Sequence, residues 1–260
     1  MTAHHLPPTA IATLLLASLS ALPAAAQTSA AADPWSVEFA TSRQQLSNNS
    51  PDWTENAARL SHRWGTRHTS ELGVAQTQRF GLDDEQLNGL LVRPLGERLT
   101  ATVDASLSPT HRVLPTHHLG AMLQYEFAPA WLVHGGLRST QYNTATVTQG
   151  TAMLERYVGA FSWLAAWRPV QTQGSSTSST ELRGSYYYGE RSSVSLSVSA
   201  GQEAVQISDT ELQLADVRST VLGGRHWLAP AWALNYEWSS TRQGEFYTRS
   251  GWRIGVQHLF

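Results

Sequence analysis

The sequence predicts an all-β protein: a transmembrane antiparallel up-and-down β-barrel of about 14 strands, with 12 or 16 as the alternatives and both termini in the periplasm. Three observations predict this class. Apolar and polar residues alternate over many stretches of about ten residues. The connections between those stretches alternate between short and long, and aromatic residues flank the short connections.

The alternating stretches have the period of a β-strand, in which successive side chains point to opposite faces. Clear examples are residues 99–107, 119–127 and 194–200, and no stretch after the N-terminal region has a convincing helical period. About fourteen stretches lie between residues 35 and 260. The least regular one, 147–167, is interpreted as two strands with a turn near Gly159.

The connections differ in length in a regular order. Tight ones at 93–97, 128–130 and 228–231 are interleaved with longer polar ones at 44–52, 108–116 and 171–179. Outer-membrane barrels have this asymmetry, with short periplasmic turns and longer extracellular loops. A soluble β-sandwich also has alternating strands, so the connections favour the membrane barrel over the sandwich.

Aromatic residues flank the short turns, as expected where amphipathic rings meet both hydrocarbon and headgroups. A terminal aromatic after an amphipathic last stretch also resembles the signal that barrel-assembly machinery recognises. Hydrocarbon offers no hydrogen-bond partner to an open sheet edge, so the sheet must close. The residues predicted to lie at the membrane interface are Trp64, Phe127, Trp131, Trp227, Trp232 and Phe260.

The N-terminus carries an apolar run at 9–22 that is too short to cross a bilayer comfortably as a helix. Small residues at 24–26 follow it and form a signal-peptidase site. We therefore expect a signal peptide at 1–26, a short periplasmic segment at 27–34 and the barrel at 35–260. Export through the periplasm to the bacterial outer membrane follows from these bounds.

Composition excludes several classes of protein. The chain has no cysteine, which rules out disulfides and thiolate metal sites. Its net charge of −2 argues against a nucleic-acid partner. All 18 Lys and Arg positions are Arg, whose planar fork suits carboxylates and phosphates, although a GC-rich genome gives the same bias.

Several short motifs spread along the chain resemble those of the YaiO family of outer-membrane β-barrel proteins. They include Arg79-Phe80-Gly81, the stretch from Leu154 to Tyr157, Tyr187-Tyr188-Gly189, and the final element at 247–260. The resemblance implies an outer-membrane location with outer-membrane lipids and barrel-assembly machinery as partners. The barrel is also broadly similar to export pores of exopolysaccharide systems, which adds polysaccharide or secretion-system components as partners to test.

Charged residues at inward positions are the candidates for function, because lipid-facing residues of a barrel are structural by default. One interpretation is that they form ion pairs that tie the walls together; the other is that their arginines line a path for an anionic or hydroxylated chain, with Tyr187 stacking on sugar rings. The candidate lumen residues are Arg59, Arg63, Arg79, Arg98, Glu126, Arg138, Arg183, Glu237, Arg249 and Arg253.

Catalytic and metal chemistry have weaker signals. Asp83 and Asp84 resemble an acidic protease pair but suit a turn better. His68 and Ser70 have hydrolase spacing at what we expect to be a periplasmic turn, and the histidines at 111, 117 and 118 share one extracellular segment. We predict no catalytic residue, no metal and no cofactor.

The sequence therefore favours a non-enzymatic pore or envelope accessory, with export of a surface polysaccharide as its specific form. A structural or adhesive barrel with a plugged lumen and partner-binding loops is the first alternative. A lipid-modifying or proteolytic barrel enzyme is the second.

Overall fold

Fourteen strands follow one another along the chain and close into one antiparallel barrel in a computed structural model that describes residues 35–172, 174–206 and 212–260, without the side chains of 203–206 and 212–214. The predicted fold class and the count of about fourteen are confirmed. The strands are β1 Trp35–Leu46, β2 Trp53–Gly65, β3 His68–Arg79, β4 Leu82–Pro94, β5 Leu99–Leu107, β6 His117–Ala128, β7 Trp131–Gln141, β8 Thr146–Val158, β9 Phe161–Thr172, β10 Ser175–Tyr188, β11 Ser192–Gln206, β12 Leu212–Ala229, β13 Trp232–Gln243 and β14 Tyr247–Leu259.

Each strand pairs with its two neighbours in sequence, and β1 closes the barrel by pairing with β14. The irregular stretch 147–167 lies in β8 and β9, which turn at Gly159 with a φ of 58°. A positive φ costs glycine little, so Gly159 suits this tight turn. Among the described residues, no helix is long and apolar enough to span a membrane.

Burial is inverted relative to a soluble protein. Outward Leu72, Leu137 and Leu182 are each more than 60% exposed, whereas the inward side chains of Thr77 and Glu181 are fully buried. An exterior covered by so many exposed apolar side chains is stable only against hydrocarbon, because in water these side chains would be buried in a core. The arrangement fits a bilayer on the outside and a polar interior.

The two ends of the barrel have different connections. Since the strand number is even, both described termini lie at one end, the turn end, whose connections are 66–67, 95–98, 129–130, 159–160, 189–191 and 230–231. The opposite end, the loop end, has connections at 47–52, 80–81, 108–116, 142–145, 173–174, 207–211 and 244–246.

The segment 171–179 is not the long loop that its composition predicted. β9 continues to Thr172 and β10 begins at Ser175, with Gly174 at a φ of 80° in the connection. Alternating Ser and Thr fit a pleated strand as well as they fit a loop, which explains the error. The predicted signal peptide at 1–26 and the segment at 27–34 lie outside the described residues.

Candidate functional site

The lumen carries Arg and carboxylate side chains in equal numbers among the described residues, as the strand registers place them on the inward face. The inward arginines are Arg59, Arg63, Arg79, Arg138, Arg168, Arg183, Arg225, Arg249 and Arg253. The inward carboxylates are Glu38, Glu55, Glu71, Asp84, Asp104, Glu126, Glu155, Glu181 and Glu237.

Nine of the ten candidate lumen residues lie at inward strand positions. Arg98 does not, because β4 ends at Pro94 and Arg98 lies exposed in the connection 95–98 at the turn end. Sequence reasoning missed Arg168 and Arg225. Trp163 and Trp167 mark the outward parity of β9, so the sequence did contain the signal that places Arg168 inward.

A first ionic group, the seam cluster, joins β1, β2, β3 and β14. Glu38 accepts from Arg253 Nη2 at 2.9 Å and lies 4.0 Å from Arg59 Nη1, which in turn lies 3.6 Å from Glu71. A Cβ added at Gly255 would lie 2.5 Å from Glu38 Oε1, so glycine makes room for this carboxylate. Arg225 on β12 interacts electrostatically with Glu38 and Glu71, so the cluster extends from β14 and β1 to β12.

A second group centres on Glu181 of β10, whose side chain is fully buried. Arg183 donates to Glu181 Oε1 at 2.6 Å, and Arg168 Nη2 lies 2.7 Å from Oε2 as an ion pair without hydrogen-bond alignment. Glu237 on β13 interacts electrostatically with both Arg183 and Arg253, and it therefore connects this group to the seam cluster.

A third group, the Asp104 cluster, contains a Ser-His-Asp chain. Ser106 Oγ lies 2.6 Å from His118 Nδ1, His118 Nε2 lies 2.8 Å from Asp104 Oδ2, and Arg138 donates to the same oxygen at 2.8 Å. A hydrolase also needs donors for an oxyanion. Ser106 lies opposite Asn88 of β4 on one side and opposite His118 of β6 on the other. The backbone N–H groups near it are therefore used in the sheet and do not serve as oxyanion donors. The cluster is better explained as a wall network.

The loop end is narrowed by apolar and cationic side chains that point inward, the mouth cluster. Trp53 is packed with Leu46, Phe80 and Tyr247, at 4% exposure for Trp53 itself. The guanidinium carbons of Arg79 and Arg249 lie 4.7 Å and 4.5 Å from the Trp53 ring centroid. These cation–π contacts fix both arginines at the mouth. The mouth cluster consists of Leu46, Trp53, Phe80, Tyr247, Arg79 and Arg249.

Asp84 anchors the longest described connection, 108–116, at the loop end. Its carboxylate accepts backbone N–H groups of Arg112 at 2.9 Å, Val113 at 2.6 Å and Leu114 at 2.8 Å. The turn-forming role expected for Asp83 and Asp84 therefore needs correction. Asp84 lies in strand β4, and its side chain binds the backbone of the connection 108–116. Asp83 points outward, and only its backbone carbonyl contacts Arg112.

The turn end presents aromatic and carboxylate groups to the lumen. Tyr157 and Tyr187 stack with ring centroids 6.1 Å apart, and the Tyr187 hydroxyl lies 3.1 Å from Ser162 Oγ. Glu126 accepts the backbone N–H of Ala130 at 3.2 Å and so fastens a turn. This end therefore offers an inward tyrosine face beside polar groups.

Five of the six predicted interface aromatics lie on the outer surface at the turn end: Trp64, Phe127, Trp131, Trp232 and Phe260. Trp227 is a correction. Trp227 pairs with inward Ala233 and therefore points into the barrel. The guanidinium carbon of Arg191 lies 3.7 Å from the centroid of its ring. Three residues lie between the outward pair Phe127 and Trp131, but four lie between Trp227 and Trp232, which places Trp227 on the opposite face.

The three histidines of one predicted segment separate in the structure. His118 is inward in the Asp104 cluster, His117 is outward, and His111 Nδ1 lies 3.0 Å from the Ser108 carbonyl. The described part of the chain holds no group of three or more His, Cys, Asp or Glu residues that could ligate a metal. His68 begins β3 at the turn end, and Ser70 is outward, accepting from Trp64 Nε1 at 3.0 Å.

The lumen lining is accessible to water as well as charged. The side chains of Arg59, Arg253 and Glu71 are 46%, 30% and 21% exposed although all three point inward. Barrels with more strands than about eight have interiors too wide for side chains alone to fill. Charges that keep solvent contact can hold a mobile ion or a polar solute. The apolar exterior, the closed sheet and this wet ionic interior define an outer-membrane β-barrel.

The chain belongs to the YaiO membrane beta barrel domain family, whose model matches residues 35–206. The final element at 247–260, which was among the motifs that suggested the family, lies outside the matched range. Among curated proteins, none matches this chain.

Solved structures share the fold at low identity. The CymD monoaromatic hydrocarbon channel has a TM-score of 0.60 at 10% identity over 88% of this chain and 89% of that one. A bacterial polysaccharide outer membrane secretin gives 0.56 at 8% over 89% and 100%. Omp33 of Acinetobacter baumannii gives 0.55 at 10% over 88% and 100%. These likenesses establish the architecture alone.

Proposed function

We propose that this barrel is a non-enzymatic pore whose Arg-lined lumen passes an anionic or hydroxylated chain, with a surface polysaccharide as the cargo. The observation that carries the proposal is Arg59, an inward residue in the middle of β2 that remains 46% exposed between Glu38 and Glu71. A side chain in that position keeps solvent contact only if the lumen beside it holds water.

Two further features support a carbohydrate cargo. The stacked Tyr157 and Tyr187 provide an aromatic face of the kind on which sugar rings stack, and carboxylate and guanidinium groups can hydrogen-bond to hydroxyls. Arginine forks also bind carboxylates of acidic sugars. The similarity to a structure described as a polysaccharide secretin agrees with this choice of cargo, although it concerns the fold.

Conductance tests the pore directly. Purified protein in a planar bilayer should give discrete steps, and Arg59→Glu should shift ion selectivity toward cations because it replaces a lumen cation by an anion. The matched control is Arg93→Glu, an outward residue of β4 near the turn end, which should leave selectivity unchanged. A silent bilayer, or equal shifts from both variants, would contradict the pore.

The mouth cluster favours a second candidate, a structural or adhesive barrel with a plugged lumen. In that case the wild-type protein should not conduct, and Trp53→Ala should open it because Trp53 packs against both mouth arginines. Residues 171–172 and 175–179 belong to two strands, so a deletion there would disturb the wall and would not test a loop partner. Replacing 108–116 by a short Gly-Ser linker is the corresponding test for a loop partner.

The route to the membrane is part of the proposal. We propose that a signal peptide at 1–26 directs export through the periplasm and that the barrel-assembly machinery inserts the mature chain. N-terminal sequencing of the protein from an outer-membrane fraction should then begin at Gln27. An intact residue 1 in that fraction would exclude the cleavage.

A further inference from the structure

At the loop end, the described outer surface of the barrel carries a localised basic patch. Arg43 on β1, Arg218 on β12 and Arg242 on β13 all face outward near the loop end. Among the described side chains, the outward loop-end positions of β2 to β11 hold no arginine, and those of β4 carry Asp83 and Glu85. At the loop end, the described outward arginines of the strands are therefore confined to the surface formed by β12, β13, β14 and β1. One outward carboxylate of β12, Asp216, shares this surface and accepts from Gln202 Nε2 at 3.1 Å.

Two of these arginines face each other directly. Arg218 and Arg242 are register partners in the β12–β13 ladder, and both side chains are exposed. Like charges directly opposite on neighbouring strands destabilise a sheet unless a counter-charge lies between them. Asp216 lies two residues before Arg218 on the same face and offsets only one of the two charges, so the pair still favours an anion on the outer surface.

Their height places them at a membrane boundary. Arg242 lies ten positions after Trp232, an interface aromatic at the turn end, along β13. At about 3.4 Å per residue and a strand tilt of about 40°, this separation corresponds to roughly 25 Å along the barrel axis, the height of the apolar band of such barrels. Arg242 and its partner Arg218 thus lie level with the headgroups of the opposite leaflet.

A groove lies below the pair. It has a cavity volume of about 250 Å³ and is lined by Arg43, Gln45, Trp238, Ser250, Gly251 and Trp252. Arg43 uses Nε on Asp52 at 2.7 Å, and Arg242 uses Nε on the Gly244 carbonyl at 3.2 Å. Both contacts leave the two terminal amino groups of the guanidinium for a further acceptor. Hydroxyl, amide and indole groups beside cations suit a phosphorylated sugar.

We propose that this surface, the β12–β1 patch, binds the phosphorylated headgroup of a glycolipid in the outer leaflet. Arg218 and Arg242 pair with one phosphate and Arg43 with a second acidic group, while Trp238 and Trp252 contact the proximal acyl chains. The two facing guanidinium groups of Arg218 and Arg242 argue for a phosphate, and the hydroxyl, amide and indole groups of the groove argue for a sugar that carries it rather than for a phospholipid headgroup. The proposal concerns the outer surface and does not depend on what the lumen passes.

Binding of bisphosphorylated lipid A to the purified full-length protein in detergent tests the proposal. Arg218→Glu with Arg242→Glu should weaken binding at least tenfold. The matched control, Arg93→Glu with Arg156→Glu, reverses two outward arginines near the turn end and should change it less than twofold. Dephosphorylated lipid A should bind the wild type at least tenfold more weakly, and phosphatidylglycerol should not match lipid A.

Folding of each variant is checked by its mobility on gels with and without boiling. If the charge-reversed pair does not fold, Arg218→Gln with Arg242→Gln replaces it, with the same expected direction. Equal lipid A affinity for wild type and patch variant would overturn the proposal. So would equal loss in the control, or phosphatidylglycerol binding as tightly as lipid A.

Discussion

Glu181 illustrates how a polar residue is accommodated in a wall that has lipid on its outer side. Its carboxylate is fully buried, and the two arginines within contact distance come from its own strand and from β9. A carboxylate removed from water needs such partners, and the partners in turn need the carboxylate. The residue therefore stabilises the β9–β10 wall through three charges together.

Replacement of Glu181 by Ala should destabilise the folded barrel by about 3 kcal/mol, the lower end for breaking a buried ion pair, because Arg168 and Arg183 keep some water contact. Urea unfolding in liposomes, followed by tryptophan fluorescence, measures the change. Glu245→Ala, in the exposed connection 244–246, is the control and should shift stability by no more than about 0.5 kcal/mol. Equal stability of the two variants would show that the ion pairs contribute little.

At the scale of single residues the sequence predicted which face most charges occupy, but not their partners. Parity along a strand places Arg59 and Arg253 inward, whereas their common contact with Glu38 depends on which strands the closed sheet brings together. Trp227 shows that parity was the better guide. It lies two residues after inward Arg225 on β12, and the register shift comes only after it, so parity predicts an inward side chain where its place beside a short turn suggested the interface.

The connection 108–116 behaves as a structural element because Asp84 holds three consecutive N–H groups of its backbone. β5 ends at Leu107, opposite Leu87, so the first residues of β4 have no strand partner on that side. The loop fills this position, with Thr110 Oγ1 accepting from Glu85 N at 3.1 Å. It therefore closes a notch in the barrel rim.

Asp84→Ala should release this loop, since three donors lose their acceptor and each buried unpaired group costs about 1 to 3 kcal/mol. Trypsin should then cut after Arg112 at least tenfold faster in folded protein. Asp83→Ala is the neighbouring control, because the Asp83 side chain points outward and only its carbonyl contacts the loop. Unchanged cleavage in the Asp84 variant would mean that other contacts hold the loop.

Strands were easier to predict than the connections between them. Alternation marks a strand locally, and it identified β5 and β6 well. The loop anchor was not predictable, because Asp84 is separated by about 30 residues from the N–H groups that it binds. The segment 171–179 was misassigned because Ser and Thr occur in loops and on strands, and their packing neighbours decide between the two.

For the molecule as a whole, the solvent outside the barrel determines the arrangement. Large aliphatic and aromatic side chains cover the middle of the exterior, and charged ones fill the interior. The fold class was predictable because apolar outward residues alternate with more polar inward ones along most of the strands. Whether the mouth cluster leaves a continuous passage was not, since it depends on side chains from β1, β2 and β14 meeting in space.

Leu137→Arg should cost about 2 to 4 kcal/mol of folding stability in a bilayer, because Leu137 faces lipid in the middle of β7. Leu228→Arg is the matched control. Leu228 is similarly exposed, 64% against 68%, but it lies at the turn end of β12, where the cost should be about 0 to 1 kcal/mol. Chemical unfolding from liposomes gives both values, and a reversed order would place the membrane elsewhere on the barrel.

The pairing of β1 with β14 has a consequence for biogenesis. Glu38 and Arg253, which meet there, are 215 residues apart in the chain. A chain that lacks β14 would leave the free edges of its sheet unpaired. Each such edge could then pair with a strand of another molecule. Such distant contacts also form slowly. The circular topology therefore means that the barrel cannot close before its last strand, β14, has been synthesised.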